Sequence, residues 1–158
     1  MPEEQVARRA QRDKKEGKSP STQAGEFVRE EMHHIREGKH GAQSPQQAIA
    51  IGLSKARCAG VKLPAPKMGR PSAKTRTQAM RDSRRGKSRV RRTSRVRSQA
   101  TAHALKREGR SAASRQNLSR QARSVARRRG TPSRRQSASK AARTRARTRS
   151  RGSQRRAS

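Results

Sequence analysis

The chain has 158 residues, 44 of them Lys or Arg against 10 Asp or Glu, for a formal net charge of +34. Only 27% of residues are hydrophobic and Phe27 is the sole aromatic, too little apolar surface to offset the chain entropy of one 158-residue domain. Self-repulsion at this charge opposes compaction unless a polyanion compensates it, so a small folded module with a long solvated remainder is expected.

A first helix is predicted from about Pro2 to Glu16, where Pro2, Glu3 and Glu4 suit a helix start and Gly17 its stop. Ser19-Pro20-Ser21-Thr22 offers caps for a second, reaching Glu37, with Phe27, Val28, Met32 and Ile35 on one stripe and Gly38 closing it. The third start has Ser44 as N-cap, Pro45 at the first helical position and Gln47 completing a capping box. That helix runs to about Ala59, stops at Gly60, and carries a smooth face of Ala48, Ile49, Gly52, Leu53 and Ala56. The second and third helices, joined by Gly38-Lys39-His40-Gly41, make a helical hairpin or three-helix module whose end Val61 and Leu63 could cover. A module this small is marginal alone, and dimerisation or DNA binding is expected to complete it.

Charge divides the chain at Leu63-Pro64-Ala65-Pro66. Residues 1–63 hold 12 basic and 8 acidic residues, whereas residues 64–158 hold 32 basic and only Asp82 and Glu108 as acids. The expected organisation is a helical module over 1–63, a Pro-rich linker over 64–71, and a basic low-complexity tail over 72–158. The fold class is therefore mainly α, with a largely disordered, conditionally helical Arg-rich tail. Helix-compatible stretches lie around 72–85, 97–108, 111–129 and 137–149; the third ends at Gly130-Thr131-Pro132. A basic-Glu-Gly-basic echo recurs at Lys15–Lys18, Arg36–Lys39 and Arg107–Arg110, readable as a recurring helix stop.

The tail contains 27 Arg and 5 Lys. Guanidinium presents a planar fork that matches phosphate oxygens and is more weakly hydrated than ammonium. The expected nucleic-acid contacts are Arg84, Arg85, Arg89, Arg91, Arg92, Arg95, Arg97, Arg120, Arg123, Arg127, Arg128, Arg129, Arg134, Arg135, Arg143, Arg145, Arg147, Arg149 and Arg151. Duplex DNA carries about one negative charge per 1.7 Å of axis, so this tail matches roughly 15 base pairs. Single-strand binders stack bases on aromatic platforms, which one phenylalanine cannot supply. Duplex is thus favoured over single strands, and duplex DNA is the expected partner ahead of structured RNA, which phosphate contacts distinguish poorly.

Other chemistry is poorly represented. No stretch approaches the ~20 apolar residues of a membrane span, and the acidic N-terminus does not read as a secretory signal. A single cysteine, Cys58, excludes an internal disulfide and Cys-rich zinc patterns. It lies near a helix C-terminus, where the dipole does not favour thiolate. His33, His34 and His40 suggest a metal, but adjacent histidines on a helix diverge and no Cys, Asp or Glu at ligand spacing completes a tetrahedral set, so no metal and no cofactor are expected. Glu30, Glu31 and Glu37 are read as pairing with Arg29, Arg36 and Lys39. Gly69-Arg70-Pro71 is a fragment of an AT-hook core, and Arg134-Arg135-Gln136-Ser137 resembles a basophilic kinase site. No Gly-x-Ser-x-Gly elbow, P-loop or dinucleotide fingerprint is present, so no enzymatic activity is expected.

Ser19–Gly41 and Gln47–Pro64 resemble an uncharacterised family of small basic bacterial proteins, a domain of unknown function. Ala104–Ser114 and Leu118–Arg123 are similar to the tail region of such proteins. The resemblance implies a bacterial origin and no established activity; Cys58 stands where another basic residue would be expected. The tail resembles protamines and bacterial histone-like tails by composition alone.

Together these readings predict a cytoplasmic, nucleoid-associated, histone-like DNA binder, with a homodimer through the N-terminal helices possible. The alternatives are an RNA- or ribosome-associated protein, and a protein-interaction module anchored to nucleic acid by its tail.

Overall fold

The computed structural model describes residues 2–66, 72–86 and 94–154, except the side chains of 2, 3, 129, 133, 134 and 147–154. The elements in chain order are α1 (Pro2–Lys15), α2 (Pro20–Glu37), α3 (Pro45–Cys58), α4 (Ala73–Arg85), α5 (Arg95–Arg107), a 3-10 turn (Ser111–Ala113) and α6 (Arg115–Gln154). Among the described residues there is no strand, and the fold is mainly α.

Serines set the helix starts. Ser19 accepts from the Thr22 N–H at 3.4 Å, Ser44 from Gln47 at 3.2 Å, Ser72 from Thr75 at 3.2 Å and Ser114 from Asn117 at 3.2 Å. Each bond satisfies one of the orphan donors of a first turn. The Gln47 side chain reaches back one residue further than a capping box requires, accepting from the Gln43 N–H at 2.6 Å rather than from Ser44. Gly38 ends α2 in the left-handed region (φ 78°), its N–H directed at the His34 and Ile35 carbonyls. Gly17 does the same after α1 (φ 73°), whereas Gly109 is not in that region. The basic-Glu-Gly-basic echo is thus a shared helix stop at its first two sites and a different backbone at the third.

The expected hairpin of α2 and α3 forms, with Ala56 beside Ala24 and Phe27, and Ala48 beside Met32 and Ile35. Between them, a Cβ on Gly52 would lie 2.7 Å from Val28 Cα, so the missing side chain is what lets the helices touch. The anticipated single stripe on α2 splits. Phe27 joins Val6, Ala10, Ala24 and Ala56 in one cluster, while Met32 and Ile35 join Ala42, Ala48, Ala112 and Ala113 in another. The reason is that α2 is covered from two sides, by α1 and by the 3-10 turn, in addition to α3.

That second cluster shows how far the packed region extends. By packing, the chain divides into Met1–Leu118 and Ser119–Ser158, so the first unit continues well past residue 63. Helix α4 lies on α3 with Ala79 and Asp82 buried. The Gly41 N–H donates to the Leu105 carbonyl at 2.8 Å, and Ala42 donates to Gly109 at 3.1 Å. A Cβ on Gly41 would fall 1.9 Å from the Glu108 carbonyl oxygen, so this backbone-to-backbone approach also requires glycine. Helix α5 buries none of its side chains.

The second unit is the larger part of α6, interrupted at Gly130 (φ 71°, ψ 169°) and followed by Pro132, where the sequence predicts a stop. The tail stretches expected to be conditionally helical lie largely within α4, α5 and α6. Serine caps and the helix-favouring Ala, Arg and Gln content supply the local reason.

Candidate nucleic-acid interface and a buried Glu-His cluster

Ser119–Ser158 holds 15 basic residues and no acid. On α6, Arg120, Arg123, Ser124, Arg127 and Arg128 line an open depression. Their spacing of three to four residues places them on one face of the helix. All four of these arginines are exposed, as are Arg135, Arg143 and Arg145 further along. Arg84 and Arg85 are exposed at the end of α4, and Arg95 and Arg97 at the start of α5. Arg129, Arg134, Arg147, Arg149 and Arg151 lie on α6, but their side chains fall outside the description, and Arg89, Arg91 and Arg92 lie wholly outside the described residues, as does Gly69-Arg70-Pro71. Phe27 is 6% exposed in the core, so the sole aromatic is unavailable for base stacking.

The acids of the first unit hold structure together. Arg9 bridges Glu26 at 3.0 Å and Glu30 at 3.1 Å, linking α1 to α2, while Lys18 pairs with Asp13 at 2.7 Å. Asp82, buried on α4, accepts from Ser54 Oγ at 2.8 Å and Gln78 Nε2 at 2.9 Å. Burial raises the nearby Cys58 thiol above its ordinary value and the Asp82 charge adds to this, although the residue as a whole is exposed. Arg85 and Arg57 oppose that shift. A poorly ionised thiol is a weak nucleophile.

The sequence reading missed one cluster. Glu31 (1% exposed) and His34 (8%) lie one turn apart on α2, and His40 swings back from the loop beyond Gly38. One ligand-capable atom from each of the three falls within 4.8 Å of the others. The sequence offers no acid that completes a tetrahedral set, but Glu31-x-x-His34 places a carboxylate and an imidazole on one helical face. The signal was the three-residue interval; the return of His40 depends on the turn at Gly38. Glu31 pairs with Lys55 (2.9 Å) and His40 (3.2 Å), and Glu30 with Arg9 and His34, not with the arginines expected. Glu37 does pair with Lys39, at 2.9 Å. Burial, then the charges of Lys39 and Lys55, hold His34 below its ordinary pKa against the opposing pull of Glu30 and Glu31.

This hairpin, with its glycine crossing and its acid-histidine pairs, coincides with the segment whose relatives can be recognised. Residues 15–68 match DUF6496, a family of unknown function. The resemblance read from Ser19–Gly41 and Gln47–Pro64 thus has its counterpart in a family match. No curated protein and no solved structure matches the chain. The DUF6496 segment contains Gly52, Glu31, His34, His40 and Lys55, while the arginine face of α6 lies beyond it. Among the described residues no helix is long and apolar enough to cross a membrane.

Proposed function

We propose that the protein is a histone-like, largely sequence-nonspecific binder of duplex DNA, without enzymatic activity, that condenses DNA in the nucleoid. The observation that carries this reading is the exposed face of Arg120, Arg123, Arg127 and Arg128, in a unit with 15 basic residues and no acid. A helix about 10–12 Å across with its side chains matches a B-form major groove about 12 Å wide. The A-form major groove of RNA is too deep and narrow for such entry. Arginines on the flanks of such a helix reach the phosphates, contacts that fix position and carry no base identity. The packed unit Met1–Leu118 serves as the carrier, and it contributes charge of its own, 29 basic residues against 10 acids.

A competition assay tests the proposal. Labelled duplex DNA is bound by the full chain and by a 1–118 truncation, then challenged with structured RNA at equal phosphate concentration and several salt concentrations. Preferential duplex binding, a steep salt slope, and weakening on truncation are expected. Stronger competition by RNA would replace the reading with an RNA-associated one, and undiminished binding by 1–118 would remove α6 as the interface.

A further inference from the structure

We infer that Glu31, His34 and His40 form a binding site for a divalent transition-metal ion of the zinc class. The three offer one carboxylate oxygen and two imidazole nitrogens, with candidate ligand atoms within 4.8 Å of one another. This is a donor set borderline ions such as Zn²⁺ accept, commonly with three protein ligands and a fourth position for water. Bonds of 2.0–2.1 Å bring tetrahedral ligand atoms to about 3.3 Å apart. Glu31 Oε1 and His40 Nε2 already stand at 3.2 Å, so closure requires mainly an adjustment of His34. The His34 and His40 rings lie edge-to-face with centroids 6.2 Å apart.

Two observations separate this cluster from a set of ordinary ion pairs. His40 Nδ1 lies 3.1 Å from the Gly41 carbonyl, an oxygen that can only accept. In the tautomer that donates from Nδ1, the Nε2 lone pair is turned to the cluster, the orientation that outer-sphere hydrogen bonds impose on metal-bound histidines; in the doubly protonated ring, Nε2 instead donates to Glu31 Oε1, 3.2 Å away. His34 Nε2 is buried and has no aligned hydrogen-bond partner among the described residues, although Glu30 Oε1 stands 3.3 Å away. A buried nitrogen left this way is costly, and a metal ion held with Glu31 and His40 would satisfy it. The buried Glu31 carboxylate is charge-paired, Oε2 with Lys55 at 2.9 Å and Oε1 with His40 at 3.2 Å, and an ion would exchange for these pairs. Glu30 beside His34 supplies negative charge to the site, offset by the Lys55 ammonium beside Glu31.

The test is calorimetric titration of nucleic-acid-free, full-length protein with ZnCl₂, alongside Co²⁺ absorption spectra. Saturable binding of one equivalent is expected, with the visible bands of a tetrahedral Co²⁺ site. His40→Ala on the loop and His34→Ala on the helix should each weaken binding by about 10-fold or more. His33→Ala and His103→Ala, which alter exposed histidines outside the cluster, should leave it unchanged. Absence of saturable binding by the wild-type chain, or retention of its affinity by His40→Ala, would overturn the assignment. Because His40 sits on a loop and is compared by circular dichroism with the parent, loss of binding through misfolding is separable.

Discussion

Ser54 Oγ donates to the Asp82 carboxylate across 2.8 Å, pinning α4 to α3 from a position well inside the basic half of the chain. Asp82 is one of only two acids after residue 63, and it is 2% exposed. Here an isolated acid in an arginine-rich sequence marks a docking point. Replacing Asp82 with Ala leaves Ser54 and Gln78 without their acceptor, and should cost about 1–3 kcal/mol, read from the midpoint of urea unfolding. Asp82→Asn should cost less, since an amide oxygen can still accept from Ser54.

Burial, and then the same carboxylate, suppress ionisation of Cys58. A thiol held above its ordinary pKa has less thiolate at any given pH, so alkylation of the folded chain should be slower than that of the urea-unfolded chain at pH 8. Its rate profile should rise at higher pH. Asp82→Asn removes the second-ranked cause, leaving burial in place, and should move the profile part of the way down. An iodoacetamide rate series over pH, with both proteins, checks the direction.

Gly52 sits mid-helix, where alanine would ordinarily stabilise by up to about 1 kcal/mol. Here the added Cβ would lie 2.7 Å from Val28 Cα, a backbone atom that cannot move aside alone. Gly52→Ala is therefore expected to destabilise by about 1–3 kcal/mol, a reversal of the propensity sign that thermal unfolding will reveal.

A truncation at residue 63 removes Ala79, Ala112 and Ala113 from the packed interior. At ~0.8 kcal/mol per buried methyl-sized group, this alone amounts to about 2 kcal/mol. The fragment 1–118 should thus unfold cooperatively at a clearly higher denaturant concentration than 1–63. Equal midpoints would mean that residues 64–118 add nothing to the module.

If the α6 arginines engage phosphates, replacing Arg120, Arg123, Arg127 and Arg128 together by Gln should lower the magnitude of the log K against log salt slope by roughly 3 to 4, from a slope of ~0.9 per contact. An unchanged slope would place the contacts elsewhere. The substitution conserves helix propensity closely, so circular dichroism should remain near that of the parent.

Local chemistry was legible along the whole chain. Prolines at the first helical position, serine caps and glycine stops mark α2 and α3, and the small face of α3 announces a close helix contact, because capping and φ preferences act within a few residues. The arginine density that motivates the DNA reading is likewise a property of composition. What composition concealed was which parts of the basic half pack. Ala79, Ala112 and Ala113 look the same as the surface alanines around them, and only the positions of α2 and α3 select them for burial. Tertiary structure also decided the cluster of Glu31, His34 and His40. Helical periodicity brings the first two together, but the third arrives through the left-handed turn at Gly38 and the docking of Gly41 and Ala42 against residues 105–109. Contacts between residues distant in sequence depend on which surfaces meet, and residue type alone does not carry that information.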